Sequence, residues 1–212
     1  MRRFRPRWKT LSPLLFAAVL VAAACLYAAA SIPPPDEPFS RSRQALAKGR
    51  FLVASENMRD PKFSGSVILL TEYGWQGAAG VIVNRPTNIT LAGALPGVKG
   101  LERIKDTVWF GGPVGTDRMT MLVKAPLPPP ASGRIFSDIY ASASMETLEA
   151  VLAGKGVAHE FRMYVGFAGW APQQLEAEVA QGGWYVLAAS PADVFSEDPS
   201  GVWPRLMHRV GH

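Results

Sequence analysis

Short apolar runs, bounded by glycine, proline or polar residues, recur along most of the chain and predict β-strands. The predicted strands are RFLVA, SVILLTEY, AAGVIVN, TVWF, MTMLVK, RIFSDIYAS, EFRMYVGF and WYVLAAS. The run Val67–Leu70 contains no polar position, which predicts that its strand is buried on both faces. The loop from Gly74 to Gly77 joins this strand to the next one, which predicts a hairpin.

Helical spacing is concentrated in the second half of the chain. METLEAVLAGKG follows Ser144, a predicted N-cap, and ends at Gly154. A second helix is predicted after Pro172, with Leu175 and Val179 on one face, and the C-terminal segment predicts one or two short helices. RPTNITLAGAL is predicted as a turn, with a helical turn near its end. Because strands and helices do not alternate strictly, the pattern predicts an α+β domain around a mixed sheet.

The N-terminal segment has a different pattern. Residues 1–10 are basic, and no charged residue follows from Leu11 to Ala30. Residues 11–31 are therefore predicted to be a transmembrane anchor or a signal peptide, followed by a Pro-rich linker over 32–40 and the domain at 41–212. With the basic flank in the cytoplasm, the domain is expected outside it, membrane-anchored or exported. The alternative is a wrongly assigned start and a cytoplasmic domain.

Charge and metal-ligand composition narrow the classes of function. The net charge is +5, but five of the 22 Lys and Arg residues lie in residues 1–10, and the 17 others balance 17 Asp and Glu. Direct contact with nucleic acid is therefore not expected of the domain. His159, His208 and His212 are scattered and Cys25 is the single cysteine, so neither a metal site nor a cofactor is predicted.

The segment VIVNRP carries the most distinctive polar pair. Pro86 is predicted to end the strand, so that Asn84 and Arg85 emerge together at a sheet end. A guanidinium held there can grip a carboxylate or a phosphate. In the alternative interpretation Arg85 pairs with Asp138 or Glu72 of the same chain, and Asn84 satisfies amides of a turn.

Two glycine segments offer backbone amides. Gly111 and Gly112, in FGGPVGTD, follow a predicted strand and form either an anion-binding nest or a tight turn. Gly166 and Gly169, in GFAGWAPQQLEAEV, have neither the dinucleotide-binding nor the P-loop spacing. This second segment is predicted to let a helix pack closely on the sheet with Trp170 covering the core, or to expose helix amides to an anion.

Several of these motifs together resemble a known family. DPKFSGSVILLTEY, GVIVNRP, FGGPV, GFAGWAPQQLEAEV and GGW occur in the order and spacing of the AlgH/YqgE family, from Arg50 to Gly211. The resemblance implies a compact α+β fold with a mixed, partly barrel-like sheet. It implies no established catalytic activity; members are labelled transcriptional regulators after an effect on alginate production. The family signature falls on Asn84, Arg85, Pro86, Gly111, Gly112, Pro113, Gly169, Trp170 and Gln174 to Glu176.

The functional expectation is a non-enzymatic protein, tethered to the membrane by its N-terminal helix or exported, that binds a protein partner or a small ligand. The candidate binding residues are Asn84, Arg85, Gly111, Gly112, Asp138, Gly169 and Trp170. The alternative is a transcriptional regulator acting in the cytoplasm. A third hypothesis, an enzyme, requires Arg85 as an anion clamp with Asp138 or Glu176 as acid or base.

Overall fold

A computed structural model describes residues 45–154 and 160–211. The strands of this part are β1 Arg50–Ala54, β2 Val67–Gly74, β3 Gly77–Ile82, β4 Pro86–Thr90, β5 Thr107–Phe110, β6 Val114–Lys124, β7 Gly133–Phe136, β8 Ile139–Ser142, β9 Glu160–Trp170 and β10 Trp184–Ala188. The α-helices are α1 Leu91–Ala94, α2 Met145–Leu152, α3 Gln174–Ala180, α4 Pro191–Val194 and α5 Val202–Val210, with a 3-10 turn at Leu101–Arg103.

The strands form one mixed sheet in the order β10-β1-β2-β3-β9-β6-β8-β7, and β5 joins it beside β9 with β4 on its other side. The β5–β9 pair is parallel, and the other strand pairs of the described residues are antiparallel. Helices follow strands without regular alternation. The α+β architecture around a mixed sheet is therefore as predicted.

Strand β9 connects the two parts of the sheet. Its last residues, Ala168–Trp170, pair with β3, whereas its earlier residues pair with β5 and β6. Gly166 lies two residues before the change of partner at φ 68°, a conformation that only glycine adopts readily inside a strand. The register between β6 and β9 shifts across the same stretch, between Val114 and Met119.

Apolar side chains form three cores on the faces of this sheet. The first is covered by α4 and α5, and its members include Phe51, Val53, Leu69, Val194 and Leu206. The second is covered by α3, and its members include Leu52, Ile68, Leu70 and Leu175. The third is covered by α1 and α2, and its members include Leu91, Val123 and Leu148. Val67–Leu70 is fully buried, as predicted, because successive side chains enter different cores.

Three strand predictions differ from the structure. Pro86 begins β4 instead of only ending the strand before it, because β4 pairs on one side with β5 and needs no amide from proline there. RIFSDIYAS forms two strands, β7 and β8, that reverse at Ser137, whose φ is 44°. Finally, β9 runs through both glycines of its motif to Trp170.

The helix predictions are confirmed in α2 and shifted in α3. Ser144 caps α2, and its hydroxyl accepts a hydrogen bond from Glu146 N at 3.2 Å. Helix α3 begins at Gln174, two residues after Pro172, because Gln173 takes a left-handed conformation with φ 66°. Leu175 of α3 is buried against the sheet, as its spacing predicted.

The prediction of an N-terminal transmembrane or signal helix is corrected. Within residues 45–154 and 160–211, no helix is long and apolar enough to cross a membrane. The longest of them, α5, has nine residues, about 14 Å of helix against about 30 Å of hydrocarbon. Residues 1–10, 11–31 and 32–40 lie outside the described residues. The fold class becomes an α+β domain whose described part has no membrane-spanning helix, and the membrane-anchored or exported location is withdrawn.

Candidate functional site

Asn84 and Arg85 hold the loop that precedes β2. Asn84 Oδ1 accepts from Val67 N at 2.9 Å, and its Nδ2 donates to Gly65 O at 2.9 Å. Arg85 donates through Nη1 to Lys62 O and through Nη2 to Ser64 O, the second at 2.8 Å. Partial burial lowers the pKa of Arg85 from its usual value. Main-chain groups therefore bind both side chains. Arg85 donates to carbonyl oxygens, and not to the carboxylate of Asp138 or Glu72 that the alternative interpretation gave it.

The glycine pair after β5 lies between the end of β3 and the middle of β9. Gly111 N donates to Val165 O at 2.8 Å, and Ile82 N donates to Gly111 O at 2.9 Å. A Cβ on Gly111 would overlap the carbonyl oxygen of Gly166, and a Cβ on Gly112 would overlap the backbone of Phe167. These two glycines therefore allow main chain to pack on main chain.

Trp170 is buried at the other end of β9 and belongs to a small polar cluster. Its Nε1 donates to Glu178 Oε2 at 2.9 Å, and Trp184 Nε1 donates to the same oxygen at 2.8 Å. Gln174 Nε2 donates to Glu178 Oε1 at 2.9 Å, and the two indole centroids lie 6.0 Å apart, edge to face. Gly169, one residue before Trp170, pairs with Ala79 of β3. The cluster attaches α3 to the sheet.

The acidic residues of the enzyme hypothesis have other surroundings. Asp138 lies in the β7–β8 turn, and its main-chain oxygen accepts from Ala125 N at 2.9 Å. Glu176 lies on α3 and accepts from Tyr73 Oη at 2.7 Å, a hydrogen bond that raises the pKa of Tyr73. The structure does not gather Arg85, Asp138 and Glu176 around one cleft.

A cleft of about 590 Å³ lies where β5 and β9 begin. We call it the β5–β9 cleft. Its exposed rim carries both signs of charge, from Lys105, Asp106, Glu160 and Glu197. Its interior combines the Arg162 side chain with apolar ones, among them the 8% exposed Trp109 and the 6% exposed Met163. Its volume falls in the range of small-ligand sites.

Arg162 is the polar centre of the cleft. Its guanidinium carbon lies 3.9 Å from the centroid of the Trp109 ring and 5.5 Å from that of Phe195. Nη1 donates to Val194 O and Nη2 to Ser196 O, both at 2.7 Å. These contacts hold the end of α4 and the residues just after it against one wall of the cleft. A half-buried guanidinium over an indole ring gains cation–π energy of about 1 kcal/mol.

A buried tyrosine lies under the same tryptophan. Tyr164 is fully buried, and its ring centroid is 6.2 Å from that of Trp109. Burial raises the pKa of Tyr164, while the nearby charge of Arg162 acts in the opposite direction. The phenol is therefore neutral at physiological pH and contributes packing beneath the cleft.

None of the predicted binding residues lines this cleft. Sequence reasoning missed it because its walls come from segments far apart in the chain. One signal was present: EFRMYVGF places Arg162 on the same face as Tyr164, in a strand that is otherwise apolar after its first residue. A charged residue at a core-facing position needs a specific partner, which here is the pair of carbonyls and the indole.

The fold places the chain among small α+β proteins built on one mixed sheet with flanking helices. A family model described as AlgH-like matches residues 51–212. The chain belongs to this AlgH-like family, which confirms the resemblance drawn from the motifs.

Relatives and solved structures agree with this assignment. A UPF0301 protein of Anaeromyxobacter dehalogenans is 35% identical over 188 residues, which cover 84% of this chain and 92% of the relative. A UPF0301 protein of Streptomyces avermitilis is 33% identical over 165 residues, covering 76% and 85%. The solution structure of the AlgH protein from Pseudomonas aeruginosa is similar with a TM-score of 0.65 and 30% identity, over 80% of this chain and 93% of that one. A crystal structure of a Corynebacterium diphtheriae protein has a TM-score of 0.70 and 25% identity, over 84% and 94%.

Proposed function

We propose that this AlgH-like chain is a non-enzymatic binding protein that holds a small ligand or a segment of a protein partner in the β5–β9 cleft. The observation that carries the proposal is a cleft of about 590 Å³ with an aromatic and cationic lining. Arg162 is held there by two carbonyls and by the Trp109 ring. A rigid cavity lowers the entropic cost of binding, because few side chains must be ordered when the ligand enters.

The lining of the cleft indicates the chemistry of its ligand. Trp109 and Met163 offer apolar contact area to a ring or an aliphatic group. Lys105 at the rim offers one positive group to polar substituents, and Asp106, Glu160 and Glu197 offer three negative ones. A flat or aliphatic group bearing polar amides, or charges of both signs, satisfies these features better than a multiply charged anion does.

The surface around Asn84 and Arg85 is less suited to this role. Its strongest donors already bind main-chain carbonyls of the loop before β2. A ligand at that surface would have to compete with these intramolecular hydrogen bonds. The binding function first expected at Asn84 and Arg85 is therefore assigned by this proposal to the β5–β9 cleft.

Ligand-observed NMR with a library of small aromatic amides tests the proposal. We expect hits whose binding is lost in Lys105→Trp, which fills the mouth of the cleft, and is retained in Lys48→Trp. Both lysines are exposed, and only Lys105 lines the cleft. Arg85→Ala is the second control and should retain binding. Hits that survive Lys105→Trp but disappear in folded Arg85→Ala would contradict the proposal, as would a library without hits.

A further inference from the structure

The β5–β9 cleft runs along the edges of two strands. Four successive residues of β9, Glu160–Met163, line it. Three successive residues at and before the start of β5, numbers 105–107, line the opposite wall. Because successive side chains of a strand point to opposite faces, a cavity on one face of a sheet would be lined by alternate residues. Lining by consecutive residues places the cleft at the edge, where main-chain groups are presented.

The ladder between the two strands ends where the cleft begins. The parallel register contains Trp109↔Tyr164 and Phe110↔Val165, whereas β9 starts four residues before Tyr164, at Glu160. Residues 105–107 and 160–163 would continue this ladder if the strands stayed together, but they border the cavity instead. The cleft is therefore a gap in a parallel sheet.

The hydrogen-bond pattern shows which groups of β9 face this gap. Val165 O accepts from Gly111 N, so the main-chain groups of Val165 point toward β5. The direction of these groups alternates along a strand, so those of Met163 and Phe161 point the same way. The main-chain groups of Tyr164 and Arg162 therefore point the other way, toward their partners Thr120 and Leu122 in β6. Phe161 and Met163 thus direct main-chain groups toward the cleft side of β9. The parallel bridge between Trp109 and Tyr164 takes Met163 O as an acceptor, so the groups that an added strand would use are Phe161 N, Phe161 O and Met163 N.

We infer that the occupant of the β5–β9 cleft is an extended peptide segment of a protein partner, which pairs by its backbone with β9 at Phe161–Met163. This inference rests on the proposed function and narrows its ligand to one class. Addition of a peptide strand to an open sheet edge is an established mode of recognition, in which main-chain hydrogen bonds give affinity and side-chain pockets give specificity.

The dimensions and the lining define the peptide. Glu160–Met163 span about 10 Å at about 3.3 Å per residue, which admits three or four paired residues. One side chain of the peptide enters the interior beside Trp109 and is aromatic or large and aliphatic. The residues flanking it reach a rim of one basic and three acidic side chains and carry at least one basic group, with an acidic group toward Lys105.

The experiment uses the full chain and a set of capped heptapeptides. Their centre is tyrosine, phenylalanine, tryptophan or leucine, flanked by valines and then by one glutamate and one lysine. Binding is measured by calorimetry. A second set carries N-methyl groups on alternate central amides, in two series: one methylated along one edge of the extended peptide and one along its opposite edge. A control set carries the N-methyl groups on the terminal residues.

We expect at least one parent peptide to bind and methylation of the β9-facing edge to weaken it about tenfold, because the backbone hydrogen bond to Phe161 O is lost. Terminal methylation should leave the affinity within about twofold, a change well below one hydrogen bond. Lys105→Trp should abolish binding, and Lys48→Trp should retain it.

The outcomes separate this inference from the proposed function. Suppose that a peptide binds, that Lys105→Trp removes this binding, and that methylation of neither central edge weakens it. Backbone pairing is then overturned, while the proposal that the cleft binds a ligand stands. If the aromatic amides bind in the cleft and no heptapeptide does, the peptide inference alone is overturned. If neither probe binds, both proposals are overturned.

Discussion

At the scale of single residues, the glycines after β5 and inside β9 are explained by contact between main chains. Gly166 has φ 68°, and a Cβ there would overlap the carbonyl oxygen of Gly112. The sequence predicted close packing at this motif, but it could not show that the neighbour is the segment after β5, more than fifty residues earlier. That partner is fixed by strand pairing, which no local pattern encodes.

Gly166→Ala is expected to lower the free energy of unfolding by at least about 2 kcal/mol, from backbone strain and overpacking together. Gly133→Ala in β7 is the matched control. A Cβ at Gly133 has no described neighbour within 4 Å, and its φ is not positive. The control should change stability by no more than about 0.5 kcal/mol. Equal unfolding midpoints in urea for the two variants would contradict the close contact between Gly166 and the main chain of Gly112.

At the scale of elements, short polar contacts attach loops and helices to the sheet. Helix α3 has seven residues, too few to be stable alone, and Glu178 ties it to Trp170 and Trp184. The spacing of Leu175 and Val179 predicted which face of α3 packs on the sheet. It gave no sign of Glu178, because the two indoles that it binds belong to β9 and β10, strands that three others separate in the sheet.

Glu178→Ala is expected to destabilise the protein by about 2 to 3 kcal/mol, because two buried indole N–H groups lose their acceptor. It should also change the tryptophan emission of the native state. The control, Glu176→Ala, removes an exposed carboxylate of the same helix that accepts only from Tyr73 in the described contacts. That control should cost no more than about 0.5 kcal/mol. Similar losses of stability in the two variants would contradict the role of Glu178 in attaching α3 to the sheet.

The loop before β2 is a second element held by side chains. Asn84→Ala should lower stability by about 2 kcal/mol, because Val67 N is left buried without its acceptor. Asn88→Ala, an exposed position on β4, serves as control. Calorimetric unfolding gives the stabilities, and titration with an aromatic amide that binds the wild type gives the affinity. We expect the affinity of folded Asn84→Ala to be unchanged; a large loss would return the binding site to Asn84.

At the scale of the whole molecule, one mixed sheet separates three cores, and the cleft opens beside two of them. Trp109 belongs to the first core and Met163 to the third. The strand patterns and the family motifs were sufficient to predict the α+β class. Strand β4 was not predicted, because proline is rare in central strands. Among the described strands β4 pairs only with β5, and proline is tolerated at such an edge. The cleft was missed because it is an interruption of pairing between β5 and β9, and an interruption leaves no pattern in either strand.

Charge also belongs to this scale. Beyond residue 10 the 17 basic side chains balance 17 acidic ones. We therefore expect any affinity of the chain for duplex DNA to be non-specific, strongly salt-dependent and lost when residues 1–10 are deleted. Fluorescence anisotropy of a labelled duplex over a salt series measures this. Sequence-specific binding by the deleted chain at physiological salt would contradict the expectation.

The central claim is that the β5–β9 cleft is the binding site of this AlgH-like protein. Amide chemical-shift mapping with the tyrosine-centred heptapeptide tests it most directly, because each backbone N–H reports its own surroundings. The account predicts that the largest shifts fall on Thr107, Phe161 and Met163, with little change at Asn84 and Arg85. Shifts centred on Asn84, Arg85 and the loop before β2, with an unchanged cleft, would contradict it.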